Sequence, residues 1–265
     1  MVVPKRVGDR IRSGLRKFRK VLADAKRADR SEADTSTIVT DMLAEVFGYD
    51  KYSEITGEYQ IRGTYCDLAV KVEGQIAYLI EVKAIDHDLR ERHLRQSTDY
   101  AAKEGIDWVV LTNGVEWTVR KMVFQQPVRD EEVFRMNLLD DDPETVVEQV
   151  YALSREGVSK RLLAEYHQEQ QASDRYVVAG VIVEKAGLLL IRRELRRMFP
   201  NVRVETAEIR RVLMNEVLKR DILESDKFDS AVRRVKRATK RRLRKAQKDS
   251  DAAEDVDEPE AGDPK

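Results

Sequence analysis

The chain of 265 residues, 42% of them hydrophobic, is long enough to bury the core of one large domain or two small ones. Its 49 Lys and Arg residues balance 49 Asp and Glu residues, which excludes a uniformly basic nucleic-acid coat protein but not local basic surfaces. A single cysteine excludes a disulfide framework, and the absence of a long apolar run predicts a cytoplasmic protein without a membrane partner.

Residues 1–29 are predicted to form one basic amphipathic helix. Apolar residues recur at helical spacing, and arginines and lysines fill the positions between them. The apolar positions are Val7, Ile11, Leu15, Phe18 and Leu22. Such a helix either docks on the rest of the chain with a solvated basic face or contacts phosphate groups, and the sequence leaves both roles open.

Residues 30–140 are predicted to form an α/β domain. A helix begins after the N-cap candidate Ser31 and ends near Gly48. Residues 57–83 have strand character with a hairpin turn, residues 88–104 return to helical spacing, and two strands follow around the turn at 113–114. The order of helix, strands, helix and strands indicates a mixed sheet flanked by helices.

Residues 143–247 are predicted to be all-helical, with helices over 144–170, 173–198, 206–219 and 226–247. Gly180 and Gly187 lie seven residues apart on one face of the second of these helices. Small residues at that spacing permit close helix packing, either within the chain or across a homodimer interface.

The end of the chain divides by charge. The run 233–248 is strongly basic and suits either a solvated helix end or a nucleic-acid contact. Residues 248–265 form an acidic segment without aromatic residues, and we expect this tail to be disordered.

The residues that suggest chemistry lie between Asp67 and Lys83. In the strand "YLIEVKAI", alternation places Glu81 and Lys83 on one face, although charged side chains are rare in such an apolar strand. A three-residue loop, 73–75, would set Asp67 directly opposite Glu81, whereas a two-residue loop would set it opposite Ile80.

Facing carboxylates repel unless a cation lies between them. Oxygen ligands of this kind suit Mg²⁺, with Mn²⁺ as the alternative, and the backbone carbonyl of Val82 could complete the protein ligands beside Asp67 and Glu81. A cation there would polarise a phosphoryl oxygen, and Lys83 would orient or deprotonate water or stabilise transition-state charge. These parts are the ones that phosphodiester hydrolysis requires.

The segment "TYCDLAVKVEGQIAYLIEVKA" resembles the D…(D/E)xK signature of the PD-(D/E)XK nuclease fold. With the flanking segments "EADTSTIVTDMLAEVFGYD" and "QSTDYAAKEGIDWVVLTNGVEWTV", residues 30–123 resemble the N-terminal nuclease domain of type I restriction enzyme R subunits. The chain lacks the G-x-x-x-x-G-K-[ST] phosphate loop of a translocating motor. In this respect it departs from the large R subunits, so a DNA-translocating restriction subunit is excluded and a stand-alone nuclease is expected.

The resemblance also implies roles for individual residues. It makes Asp67 and Glu81 metal ligands and Lys83 the catalytic lysine. It adds an accessory Gln-x-x-x-Tyr motif, which Gln96 and Tyr100 match. A further acid is expected on the first helix of the domain, where Glu32 is the better match and Glu45 the weaker one.

These expectations combine into a magnesium-dependent deoxyribonuclease that acts on DNA, and the resemblance alone implies a role in restriction or defence against foreign DNA. The alternative is a nuclease-fold module that binds DNA or protein without cleavage and assembles through its helical half. An RNA nuclease is a third interpretation. The sequence does not identify a partner subunit.

The remaining reactive side chains predict little chemistry. Cys66 is expected to be a buried, inert thiol. His87 and His93 are six residues apart, which on one helix would point them away from each other and argues against a zinc pair.

Overall fold

A six-stranded mixed sheet occupies the first part of the chain in the computed structural model. The described residues are 1–61, 64–124 and 126–254, without the side chains at 58–61, 64, 65, 91, 94, 96, 243 and 245–254. The strands follow chain order across the sheet: β1 (Ile55–Ile61), β2 (Thr64–Val72), β3 (Gln75–Val82), β4 (Trp108–Thr112), β5 (Glu116–Val123) and β6 (Arg129–Asn137). Only the central pair, β3 and β4, runs parallel.

Helices cover both faces of this sheet. They are α1 (Lys5–Arg27), α2 (Glu32–Glu45), α3 (Arg95–Glu104), α4 (Pro143–Leu153), α5 (Arg155–Ser159) and α6 (Leu162–Ser173), with a 3₁₀ turn at Glu91–Leu94. A larger hydrophobic cluster joins α1, α2 and α4 to one face, where Ile80 and Val82 point. A smaller cluster joins α3 to the other face, where Leu79 points. The predicted α/β fold is confirmed.

The elements form where local chemistry favours them. The hydroxyl of Ser31 accepts a hydrogen bond from the Asp34 N–H, which confirms the predicted N-cap of α2. Asn113 accepts hydrogen bonds from two backbone N–H groups in the predicted turn between β4 and β5. The apolar stripe of α1 is buried, and fully covered residues such as Ile11 and Leu22 contribute about 1.5–3 kcal/mol each.

The β2–β3 hairpin differs from the predicted one. Its turn has two residues, since Val72 pairs with Gln75, so the predicted three-residue loop is wrong. A bulge then shifts the register: Lys71 pairs with Ile76, whereas Val70 pairs with Tyr78. The extra residue restores the register that the longer loop would have given. Leu68 pairs with Ile80, and the same register continued by one residue sets Asp67 opposite Glu81.

Strand β6 is an element that the sequence did not predict. Its first half carries three successive acids, at 130–132, and lacks apolar alternation. Its buried residues Val133, Phe134 and Met136 come only in the second half. The strand forms because β5 provides an antiparallel partner along its whole length, so sheet pairing outweighs the local pattern.

The chain divides into two compact units, Met1–Gln168 and Glu169–Lys265, whereas the sequence predicted a domain boundary at 140–143. The difference has a physical cause: α4 buries Val146, Val150 and Leu153 in the larger hydrophobic cluster of the first unit.

The second unit contains α7 (Arg175–Val183), α8 (Lys185–Met198), α9 (Thr206–Val212), a π-helical turn at Leu213–Val217, α10 (Arg220–Leu223) and α11 (Asp226–Glu254). Its small core includes Ala179, Val183 and Phe228. Helix α11 continues through residues 248–254, part of the tail expected to be disordered, and residues 255–265 lie outside the described ones. The part of the chain that the structure describes contains no helix long and apolar enough to cross a membrane.

The single helix predicted over 173–198 is wrong, because the backbone of Glu184 is extended and separates α7 from α8. Gly187 tolerates this break: a Cβ there would lie 2.3 Å from the carbonyl oxygen of Val181. Gly180 packs against the α11 backbone at Val232, where a Cβ would lie 3.4 Å from the backbone nitrogen. The close packing expected of Gly180 therefore occurs within the chain.

Candidate active site

The candidate site lies where β3 ends, at the centre of the sheet. Glu81 pairs with Leu111 of the parallel strand β4, and the N–H of Lys83 donates to the carbonyl of Thr112 at 2.8 Å. Glu81 is only 8% exposed. A carboxylate this deeply buried needs partners, because desolvation of an unpaired charge is costly. The site is built around those partners.

The ammonium group of Lys83 lies among oxygens from three elements. Its Nζ is 2.9 Å from Oε1 of Glu81 and 2.8 Å from the Val82 carbonyl oxygen. Oδ2 of Asp67 is 4.0 Å away, and Oε1 of Glu32 on α2 is 3.5 Å away. Of the predicted site residues, Asp67, Glu81, Val82, Lys83 and Glu32 are thus brought together.

The surroundings keep Lys83 charged. Burial by itself would lower the pKa of Lys83, but the hydrogen bond to Glu81 and the charges of Glu81, Asp67 and Glu32 outweigh burial and raise that pKa. A protonated ammonium donates hydrogen bonds but cannot accept a proton. Among the roles that the sequence left open for Lys83, this environment therefore favours stabilising negative charge over deprotonating water.

The Asp67 carboxylate lies in an environment that disfavours its charge. Burial raises the pKa of Asp67, and the neighbouring Glu81 raises it further. Two contacts act in the opposite direction: Oδ2 accepts a hydrogen bond from the Val82 N–H at 2.7 Å, and Lys83 is near. The net effect is a raised pKa, as expected for a carboxylate held in place without a full counter-charge.

Ser97 is a site residue that the sequence analysis missed. It lies on α3, is completely buried, and donates its hydroxyl hydrogen bond to Oε2 of Glu81 at 2.7 Å. Ser97 thus fixes one oxygen of Glu81, while Lys83 contacts the other. A signal was present: Ser97, Tyr100 and Ala101 share one face of α3 by their i, i+3 and i+4 spacing.

The accessory residues fall into different environments. Tyr100 is 2% exposed and packs in the smaller hydrophobic cluster between α3 and the sheet, so its contribution is to packing. The backbone of Gln96 belongs to α3, but its side chain lies outside the described residues. Glu45 forms an exposed ion pair with Lys17 and is not brought to the site.

The predictions for the neighbouring histidines and the cysteine have different outcomes. The expectation that His87 and His93 point apart is wrong, since His87 precedes the 3₁₀ turn and the ring centroids lie 5.4 Å apart. Cys66 is 1% exposed, and burial raises its thiol pKa to about 12, which fits an inert thiol. Within the described ranges, no group of three or more His, Cys, Asp or Glu residues is arranged for a metal.

The oxygens of Asp67, Glu81 and Val82 nevertheless fit a hard divalent cation. They already surround one positive charge, the Lys83 ammonium, within 4.0 Å. Mg²⁺ is commonly bound by one or two carboxylates together with water and substrate phosphate, so a larger set of protein ligands is not needed. The donor set is therefore compatible with the expected metal.

The mixed sheet brings Asp67, Glu81 and Lys83 together at its centre. Residues 37–133 match the family model described as the type I restriction enzyme R protein N terminus. The comparisons with curated proteins and with solved structures gave no match. The resemblance inferred from the sequence is confirmed over this segment, and it indicates a nuclease-related role in restriction.

Proposed function

We propose that this protein is a metal-dependent endonuclease that hydrolyses phosphodiester bonds of DNA, in restriction or defence against foreign DNA. One observation carries the proposal: Asp67, Glu81 and the Val82 carbonyl meet around the ammonium of Lys83 at the end of β3. The family match over residues 37–133 supports it by indicating a nuclease-related role.

Asp67, Glu81 and the Val82 carbonyl are the residues that would hold Mg²⁺ or Mn²⁺. Such an ion supplies positive charge that polarises a phosphoryl oxygen. The chain provides two carboxylates on adjacent strands, so the sheet itself sets their separation. Ser97 fixes Oε2 of Glu81 and the Val82 N–H fixes Oδ2 of Asp67, whereas Oε1 of Glu81 contacts the Lys83 ammonium.

Lys83 is proposed to stabilise negative charge on the phosphoryl group during hydrolysis. Without a bound ion, the hydrogen bond to Glu81 and the charges of Glu81, Asp67 and Glu32 outweigh burial and raise the pKa of its ammonium group. Its side chain is 16% exposed, so the charge lies near the surface but is shielded from bulk water. Hydrogen-bond donors preorganised in such a place stabilise transition-state charge more strongly than they would in water.

A plasmid-nicking assay tests the proposal. Purified full-length chain is incubated with supercoiled plasmid and Mg²⁺ or Mn²⁺, with EDTA as the metal-free arm. We expect nicking that requires the metal. Loss of a transition-state donor costs about 10²–10³ in rate, so Lys83→Ala should lower the nicking rate by at least that factor.

Lys103→Ala is the matched control, because Lys103 is an exposed lysine on α3 outside the site. It should nick at the wild-type rate. Equal rates for Lys83→Ala and wild type would contradict the proposal and favour the non-catalytic binding module. A parallel RNA substrate that is cut in preference to the plasmid would replace DNA as the substrate.

A further inference from the structure

The outer face of α8 carries a cluster of arginines that the proposed active site does not use. Arg192, Arg193, Arg196 and Arg197, together with Leu189, line a surface cleft of about 300 Å³ in the second unit. We refer to these five residues as the arginine cleft. The four guanidinium groups come from two successive turns of one helix, so they follow one another along its axis.

The charge of this cleft is only partly balanced. Glu194 pairs with both Arg193 and Arg197, at 3.2 Å and 2.9 Å. Among the residues that the structure describes, Arg192 and Arg196 form no ion pair or side-chain hydrogen bond. One carboxylate thus pairs with two of the four guanidinium groups, which leaves a local positive charge in a chain whose formal net charge is zero.

Folding of the unit does not account for these arginines. The apolar side of α8 buries Leu188 and half-buries Ile191 and Leu195, and this side makes the packing contacts. Arg196 and Arg197 lie in the last turn, where cations gain about 0.3–1 kcal/mol from the helix dipole. Arg192 lies a turn earlier and is half-buried, and it has no ion-pair partner among the described residues.

We propose that the arginine cleft binds the sugar–phosphate backbone of a nucleic acid. The planar fork of a guanidinium group matches phosphate oxygens in pairs, and the cleft contains four arginines and no lysine. Sequence-independent binding of nucleic acids rests on such neutralised phosphates. That the nucleic acid is DNA rests on the proposed function; the recognition of a phosphate backbone does not.

A membrane surface is a weaker match to the same residues. Interfacial helices insert a continuous apolar face into lipid while their basic face stays in water. In α8, Leu188 is buried and Ile191 and Leu195 are half-buried, while the exposed apolar side chains, Leu189, Leu190 and Met198, do not follow one another along a single face at 100° per residue. The cleft contains a single apolar side chain, Leu189.

Helix α1, one of the phosphate-contacting helices that the sequence suggested, has half of its basic side chains engaged elsewhere. Several of its basic side chains bind groups of the first unit or of α1 itself. They are Arg10 on Glu156, Arg12 on Glu144, Lys17 on Glu45, Arg19 on the Leu138 carbonyl and Arg27 on Asp24. These contacts support the docking role for α1 and make α1 a weaker phosphate-binding surface than the arginine cleft.

Fluorescence anisotropy with a labelled duplex of about 30 base pairs tests this inference. All proteins carry Lys83→Ala and EDTA is present, so cleavage does not interfere. Adding Arg192→Gln and Arg196→Gln should weaken binding about tenfold and reduce the slope of log K against log salt by about 1.8, which is 0.9 for each lost phosphate contact. Replacing both residues with lysine should keep that salt slope.

The matched control replaces Arg175 and Arg211 with glutamine in the same unit. It removes the same charge, but these arginines are already paired with Asp221 and Glu208. Its affinity should stay within about twofold of the parent, and circular dichroism should show all variants folded. Equal losses in the control and the cleft variant would overturn the inference, because net charge alone would then explain the binding.

Two further outcomes distinguish this inference from lipid binding and from the proposed nuclease activity. If the cleft variant loses binding to phosphatidylserine vesicles and keeps its duplex affinity, the surface is a lipid-binding one and the inference fails. If the cleft variant keeps its affinity for the duplex while wild-type protein nicks plasmid through Lys83, the inference fails and the proposed nuclease stands.

Discussion

Glu81 has a partner for each of its carboxylate oxygens. Ser97 donates to Oε2 and the Lys83 ammonium contacts Oε1. Because Glu81 is 8% exposed, losing either partner would leave a buried acceptor or charge unsatisfied, a change that costs about 1–3 kcal/mol or more. The same buried partners hold the carboxylate in one orientation, which a cation site requires.

Asp67→Asn tests whether the negative charge of Asp67 destabilises the folded chain. The raised pKa of Asp67 means that the folded chain disfavours the charged form, so the charge destabilises the fold above the ordinary pKa of an aspartate. The amide oxygen of asparagine can still accept the Val82 hydrogen bond. We expect the melting temperature in EDTA at pH 7 to rise by about 1–4 °C.

The pH dependence provides the control for this substitution. As the pH falls through the raised pKa of Asp67, the wild-type carboxyl becomes neutral and the advantage of asparagine should shrink. A melting temperature that drops in Asp67→Asn at pH 7 would show that the charge is a structural partner of Lys83. The substitution should also abolish nicking, because it removes a proposed ligand.

Much of this site could be predicted from the sequence, because strand alternation alone places Glu81 and Lys83 on one face. The register that brings Asp67 next to Glu81 was also predicted, although from a three-residue loop instead of a two-residue turn with a bulge. Ser97 was missed because a serine in a helix commonly points to solvent or bonds the local backbone. Its hydrogen bond to Glu81 becomes visible only when α3 is packed on the sheet.

At the scale of elements, the β2–β3 turn and its bulge together set the spacing of the carboxylates. Glu73 has φ of 53° and Gly74 has φ of 78°, so both turn residues are left-handed. Two such residues are characteristic of the I′ turn, which prefers Asn-Gly because asparagine tolerates that conformation better than glutamate.

Glu73→Asn should therefore stabilise the hairpin without touching the site, since Glu73 is exposed. We expect an increase of about 0.5–1 kcal/mol in the free energy of unfolding, measured by urea denaturation with an unchanged m-value. Gly74→Ala, which introduces a Cβ at positive φ, should lower the same free energy. A decrease with Glu73→Asn would mean that the turn does not have this conformation in solution.

Element boundaries were harder to predict than element types. Periodicity predicted one helix over 173–198 and could not place the break at Glu184, where the backbone is extended and Gly187 leaves room for the carbonyl of Val181. Strand β6 was missed because its own sequence lacks apolar alternation, and its strand conformation depends on pairing with β5.

At the scale of the molecule, α1 is an integral part of the first unit. Arg10 donates to the carbonyls of Val46 and Phe47 and forms a two-point contact with Glu156, so it joins α1 to the segment after α2 and to α5. The hydrogen bond from Arg10 lowers the pKa of Glu156. The sequence showed the apolar stripe of α1 but not these long-range polar contacts, which depend on the assembled fold.

The family match covers part of the first unit, and the arginine cleft lies in the second. The proposals accordingly assign chemistry to one unit and backbone binding to the other. Their tests are independent, because nicking depends on Lys83 and duplex affinity is measured without cleavage.

Titration of the full-length chain with Mn²⁺, with free ion measured by electron paramagnetic resonance, tests the central claim most directly. Wild type should bind one ion more per chain than Glu81→Gln, because that variant loses a proposed ligand. Lys83→Ala should keep the ion, since it removes the ammonium that the same oxygens now surround. Equal numbers of bound ions in wild type and Glu81→Gln would contradict a cation site at Asp67 and Glu81.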